Sequence, residues 1–216
     1  MPSIFRTDFP FDNPFVDRWE EVREEWLTRG DSSLSFLVPF PMNPKKQLRH
    51  QPKYLVWNVA GANAANGIAK TSTREGISTW GGSGIFSAKR HNDEQVKRFP
   101  LTMSLFKQMP SIVTSAGFVT MEPGCQIVPH HGADVGVMRC HVCIDIPEGD
   151  DCKLMVQQKP GVIDTKIQKN GDTYFFDDSP LHWAGNSNEK ERTILLFDFI
   201  YDRVAATKNG LIPHVF

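Results

Sequence analysis

No run of about 18 consecutive apolar residues occurs in this chain, so no helix able to span a bilayer is expected. The first residues, MPSIFRTDFPFDNPF, hold no apolar segment of the secretory kind, so no signal peptide is expected. Cysteine is scarce. Four in 216 residues make no disulfide framework, so the thiols are expected to be reduced and the protein cytoplasmic. An excess of either charge is missing too. With 24 Lys and Arg against 25 Asp and Glu, the net charge of −1 gives no electrostatic reason to expect nucleic acid or an anionic membrane as partner. The chain also lacks internal repeats and low-complexity tracts. What it does have is 40% hydrophobic residues over a length that suits one domain, enough for a proper core.

The two halves differ in texture. NPFVDRWEEVREEWLT, residues 13–28, predicts an amphipathic helix, with Asn13 as N-cap, Pro14 at the first helical position, and Phe15, Trp19, Val22 and Trp26 at helical spacing. KYLVWNVAG (53–61) fits a strand. The small and polar residues 61–84 fit a long loop, and residues 93–109 a helix interrupted at Phe99-Pro100. From residue 115 short strands follow one another, near 117–121, 125–129, 135–146, 153–157, 162–168, 172–177 and 192–201. The turn signals PEGDD, KNGD, DDSP and NSNEKE separate them. Seven such strands argue for a β-sandwich or a jelly-roll barrel.

VPHHGADVGVMRCHVCIDIP (128–147) places three of the seven histidines, two cysteines and an arginine in an apolar stretch. Alternation along a strand puts Val137, Arg139, His141 and Cys143 on one face. Met138, Cys140, Val142, Ile144 and Ile146 fall on the other, wholly apolar face. Cys140 and Cys143 form a CxxC, but residues three apart on a strand point to opposite faces and grip one metal poorly, so core packing accounts better for Cys140. His130 and His131 follow Pro129. His182 follows the DDSP turn, and Arg192 opens the apolar strand RTILLFDFIYD. Two histidines from different strands, pointing into one barrel, can hold a divalent ion such as Fe(II). A buried arginine needs an anion, and a dicarboxylate would supply one.

The ordered set EPGCQIVPHHG, RCH, FFDDSPLHWAGN and Arg192 resembles the aspartyl/asparaginyl β-hydroxylase family of Fe(II)- and 2-oxoglutarate-dependent oxygenases. It covers roughly residues 115–202, and KRFPLTMSLFKQMPS resembles the region before the family's barrel. The resemblance implies a mainly β fold, a double-stranded β-helix (jelly-roll, cupin-like) with N-terminal helices packed outside. It implies one oxygenase domain over 1–216: a helical and loop elaboration (1–114), the jelly-roll core (115–202) and a tail (203–216). It implies His130 and His182 as iron ligands, with His131 the rival for the first position. It implies Arg192 on the distal carboxylate of 2-oxoglutarate and His141 on the carboxylate near the metal. Arg139 resembles an arginine that serves cosubstrate or substrate. Where the family often has a serine this chain has Val119, with Thr120 beside it as the candidate for that contact.

Most such oxygenases add a carboxylate two residues after the first histidine, but here Gly132 stands there. Water, a halide or Asp134 are the candidates for the position it leaves. Asp177 and Asp178 fit turn formers, and Trp183 fits either a pocket wall or core packing. The function expected is hydroxylation of an unactivated C–H, using O2, on an amino-acid-like small molecule or an aspartyl or asparaginyl residue. The alternatives are a halogenase or oxidative cyclase of the same class, or a non-catalytic cupin-like binding module. The sequence does not fix an oligomeric state.

Overall fold

A computed structural model describes residues 4–29, 56–58, 80–87, 90–91, 93–132 and 136–208. Helix α1 (Phe15–Arg29) begins where Asn13 Oδ1 accepts the Phe15 amide at 3.1 Å, as its capping position requires. Strands β1 (Val56–Asn58), β2 (Trp80–Ser87) and β3 (Arg90–His91) follow, then helices α2 (Asp93–Arg98) and α3 (Pro100–Phe106). The break between the two helices is at Pro100, which has no N–H to continue α2 and opens α3 instead. No side chain at Phe99 caps α3. Glu25 of α1 does so from outside, accepting the Leu101 and Thr102 amides at 2.7 and 2.9 Å and the Thr102 hydroxyl at 2.7 Å.

Eight strands then wind between two antiparallel sheets: β4 (Val113–Met121), β5 (Cys125–His130), β6 (Val137–Asp145), β7 (Cys152–Lys159), β8 (Val162–Ile167), β9 (Thr173–Phe176), β10 (His182–Asn186) and β11 (Arg192–Ile200). The larger sheet has the order β3-β2-β4-β11-β6-β9, and the smaller β1-β5-β10-β7-β8. Successive strands cross from one sheet to the other except at the β7–β8 hairpin. That alternation is a double-stranded β-helix, the jelly-roll fold expected from the sequence. Helix α4 (Arg203–Lys208) ends the described chain.

Two expectations change here. Residues 80–87, placed mostly in the long loop, form β2 against β4 despite three glycines. Residues 182–186, outside all seven expected strands, form β10 between β5 and β7. Pairing with β4 along β2, and with β5 and β7 on both sides of β10, overrides their weak β-propensity. The rest of the expected loop, 61–79, lies outside the described residues, as do 209–216 of the expected tail.

The apolar residues divide into two cores. Phe15, Val22 and Trp26 of α1 and Phe99 and Phe106 near α3 pack on the outer face of the larger sheet, against Cys140 and Phe197 among others. Complete burial of such a side chain contributes about 1.5–3 kcal/mol. Leu154, Val156, Phe176, Ile194 and Leu196 fill the space between the sheets. Ile146 lies in this second core and not with Met138 as alternation predicts. The β6–β11 pairing shifts between Cys143↔Ile194 and Asp145↔Thr193, so the residues beyond the shift change face. The N-terminal segment covers the edge of β9. Arg6 and Phe175 exchange backbone hydrogen bonds at 2.9 Å in each direction, and Phe5 sets its ring against Tyr174 and Phe176 at 5.6 and 5.9 Å.

Candidate metal and carboxylate site

His130 and His182 are direct cross-strand partners on β5 and β10, with ring centroids 4.2 Å apart. His182 is 4% exposed. Its Nδ1 lies 3.0 Å from the Pro180 carbonyl oxygen. A carbonyl only accepts, so Nδ1 carries the proton and Nε2 keeps its lone pair, the form a metal requires. Burial, with His130 beside it, lowers the His182 pKa to about 3, so the ring is neutral across the physiological range. His131 differs. It is exposed, and its Nδ1 donates to the Ser179 carbonyl at 2.8 Å. Of the two adjacent histidines, the structure brings His130 to His182 and ties His131 to the neighbouring turn.

His141 sits farther along the interior on β6, opposite Leu196 of β11 and Tyr174 of β9. It is 5% exposed, and burial first, then Arg192, Arg139 and His182, hold its pKa well below the usual value. Arg192 lies four residues before Leu196 on the same strand and, at 2% exposed, is the largest fully buried side chain among the described residues. Its Nε donates to Gln168 Oε1 at 2.8 Å, while its Nη2 has no hydrogen-bond partner among the described residues. The described residues form no salt bridge to it within 4.0 Å. A guanidinium buried with one neutral partner and one orphaned nitrogen is a strong attractor for an anion.

Arg139 has another place. Its Nε and Nη2 donate to the two oxygens of Asp198 at 2.9 and 3.0 Å, and its Nη1 reaches Asp178 Oδ2 at 2.8 Å. It bridges two buried carboxylates, with its Nε–Nη2 fork taken by Asp198. Thr120 lies elsewhere than expected. Its hydroxyl bonds that of its cross-strand partner Thr193 at 2.9 Å. Val119 and Met121 face the space between the sheets, so Thr120 points out of it, away from Arg192. Trp183, between the inward-facing His182 and Ala184, likewise points outward.

Sequence reasoning missed two residues. Asp177 does serve the turn, accepting the Ser179 amide at 2.9 Å, but Asp178 is 3% exposed and paired with Arg139. Its carboxylate fills the space that a β-carbon on Gly132 would need, and its carbonyl accepts the Gly132 amide at 2.8 Å. A side chain at position 132 would therefore displace the Asp178 carboxylate. Gln168, fully buried, carried no sequence signal beyond its place before a turn. Asp134 lies outside the described residues. Among the described residues no cluster of three or more His, Cys, Asp or Glu could hold a metal. Among the described residues the histidine pair therefore has no third His, Cys, Asp or Glu ligand beside it.

The four cysteines are buried and unpaired. Cys140 faces the helix-side core and Cys143 the barrel interior, so the CxxC grips no metal. Burial pushes the Cys143 and Cys125 thiols up to about 12, far from a reactive thiolate. A hollow of about 700 Å³ lies at the far end of the barrel from the histidines. It is lined by Arg23, Asp145, Asn170 and Lys190, among others, and touches none of the site residues.

Comparison with known proteins gives the chain's relatives. The family model described as Aspartyl/Asparaginyl beta-hydroxylase matches residues 43–201. The ornithine lipid ester-linked acyl 2-hydroxylase of Rhizobium tropici is 31% identical over 111 residues, which are 50% of this chain and 37% of that protein. The aspartate beta-hydroxylase domain-containing protein 2 of Mus musculus is 28% identical over 109 residues, 49% of this chain and 30% of that protein. The matched segment is thus about a third of these relatives' length. Among solved structures, a recombinant oxalate oxidase in complex with glycolate overlaps at a TM-score of 0.39 and 14% identity, covering 62% of this chain and 56% of that one. A Cupin_2 domain from Enterobacter cloacae overlaps at 0.34 and 14%, covering 56% and 95%. Among the described residues no helix is long and apolar enough to cross a membrane.

Proposed function

Because the chain belongs to the aspartyl/asparaginyl β-hydroxylase family, we propose that it is an Fe(II)- and 2-oxoglutarate-dependent oxygenase that hydroxylates an unactivated C–H bond. The observation that carries this reading is Arg192. Its buried guanidinium, with Nη2 unpartnered among the described residues, lies on the same strand face as Ile194 and Leu196, and His182 on that of Ala184, all turned to the core between the sheets. A dicarboxylate that meets a metal at one end and an arginine at the other fits that polarity. When bound, Fe(II) and 2-oxoglutarate supply activation of O2 and transfer of one oxygen atom to the substrate, with release of succinate and CO2.

The chain's own residues have simpler tasks. His130 and His182 would hold the iron through neutral imidazoles, and the Pro180 carbonyl keeps Nε2 of His182 available. Arg192 would bind the distal carboxylate with the fork that lysine lacks. His141 would face the carboxylate nearer the metal. Leu196, Ile194 and Phe176 keep bulk water from this interior, which strengthens every charged contact inside it.

The substrate class that we propose is an amino-acid-like small molecule or an aspartyl or asparaginyl residue, handled by a cytoplasmic protein. A purely structural cupin-like module gives no reason to bury Arg192 without a counter-ion among the described residues. The test is anaerobic reconstitution with Fe(II) and 2-oxoglutarate, then exposure to O2 with candidate substrates. Succinate formed in step with products one oxygen heavier supports the proposal, and its absence with a broad amino-acid and peptide panel counts against it.

A further inference from the structure

Four buried side chains form one hydrogen-bonded line from Arg192 to His141. Arg192 Nε donates to Gln168 Oε1 at 2.8 Å, Gln168 Nε2 lies 2.7 Å from Tyr174 Oη, and Tyr174 Oη lies 3.1 Å from His141 Nδ1. Gln168 Nε2 also lies 3.4 Å from His141 Nδ1. All four residues are 5% exposed or less.

The direction of every proton in this line follows from its two ends. A guanidinium has donors only, so the Gln168 oxygen must face Arg192 and the amide NH2 must face Tyr174. Tyr174 Oη accepts from that NH2 and has one proton of its own to place. Burial holds the Tyr174 pKa well above the usual phenol value, so this proton stays on the oxygen. Nδ1 of His141 is the acceptor within reach. Were Nδ1 protonated, it and the Gln168 NH2 would both point at Tyr174 Oη, and the phenol proton would have no acceptor among the described residues.

We propose that Gln168 and Tyr174 are positioning residues that fix His141 in its Nε2–H form and hold Arg192 without neutralising it. His141 then offers an N–H donor, suited to a carboxylate, to the space between the sheets. His182 is held in the opposite form, with its proton on Nδ1 and a lone pair on Nε2. Two neutral histidines in one interior are thus assigned different roles by their partners: one to a metal, the other to an anion. Gln168 matters for what it lacks as well. A glutamate at 168 would reach Arg192 equally well but would supply an internal carboxylate in place of the ligand's.

The assignment rests on the oxygenase reading for what the donors bind, but not for the proton positions. The test therefore has two readouts. Long-range proton–nitrogen NMR on metal-free protein with labelled histidine reports which ring nitrogen of His141 is protonated. Nε2–H is expected in the wild type, with a shift toward Nδ1–H in Gln168→Glu, because Tyr174 then donates to the new carboxylate. An Nδ1–H form of His141 in the wild type overturns the proposal. The second readout is calorimetric binding of 2-oxoglutarate to anaerobic Fe(II) protein. Gln168→Glu, close to isosteric, is expected to melt at or above the wild-type temperature yet bind 2-oxoglutarate at least tenfold more weakly, with Gln168→Met less affected. Binding within twofold of wild type in Gln168→Glu overturns the proposal for Arg192. If the wild type itself binds no 2-oxoglutarate, the oxygenase reading fails, and the NMR result still decides the relay.

Discussion

Gly132 and Asp178 occupy one volume between them: a β-carbon on Gly132 would overlap the Asp178 carboxylate, and the Asp178 carbonyl accepts the Gly132 amide at 2.8 Å. Position 132 is therefore restricted to glycine by a carboxylate arriving from another loop. Gly132→Asp should not improve iron binding. Overpacking costs about 1–3 kcal/mol, and two carboxylates would compete for one space. Chemical denaturation should show this loss, and Gly132→Asp with Asp178→Gly should recover most of it. A single Gly132→Asp variant as stable as wild type would contradict the packing described.

His130→Ala and His182→Ala should each abolish stoichiometric Fe(II) binding under anaerobic conditions while the circular dichroism spectrum is kept. His131→Ala should keep iron, because its ring faces the Ser179 carbonyl and not His182. Loss of iron in His131→Ala alone would show that the adjacent histidines have exchanged roles.

Arg139→Met should be strongly destabilising. It leaves Asp178 and Asp198, 3% and 4% exposed, without their shared cation. Breaking a buried ion pair from one side costs about 3–5 kcal/mol. Urea unfolding measures this, and Asp198→Asn in the same chain should return part of it. A change under about 1 kcal/mol, the scale of an exposed pair, would mean that the network contributes little.

Acid should destabilise the metal-free protein through its buried histidines. Burial lowers the folded pKa of His182 from 6.5 to about 3 and that of His141 well below 6.5. Between the folded and unfolded values the unfolded chain binds more protons. Stability is therefore complete above about 6.5 and falls as pH drops, by about 1.4 kcal/mol per pH unit for each such histidine. Denaturation midpoints between pH 7 and 5 should fall less steeply for His182→Gln than for wild type. Equal slopes would contradict a His182 held neutral by burial.

The jelly roll was legible from residue 115 onward because short strands with Gly, Asn and Asp turns leave a periodic trace. β10 was not, because HWAGN has no β-branched residue and owes its conformation to neighbours on both sides. The histidine pair and Arg192 could be picked out as candidates from motif order. Thr120 was misplaced because adjacency was preferred to alternation: with Val119 facing inward, the next residue faces out. Asp178 was hidden inside a turn signal, since DDSP gives no sign of which aspartate folds under Gly132. Gln168 was invisible, because a lone glutamine before a turn has no pattern. Its importance comes from Arg192, 24 residues away.

The most direct measurement is equilibrium binding of 2-oxoglutarate to anaerobic Fe(II)-loaded protein, comparing wild type with Arg192→Ala, with iron counted on the same samples. Wild type should bind one Fe(II) and one 2-oxoglutarate per chain. Arg192→Ala should keep its iron and bind 2-oxoglutarate roughly 10- to 100-fold more weakly, the loss of one charge-assisted hydrogen-bonded contact worth about 1.5–3 kcal/mol. Arg192→Lys should recover only part, since it keeps the charge without the fork. Equal 2-oxoglutarate affinity in wild type and Arg192→Ala, or none in either, would contradict the account.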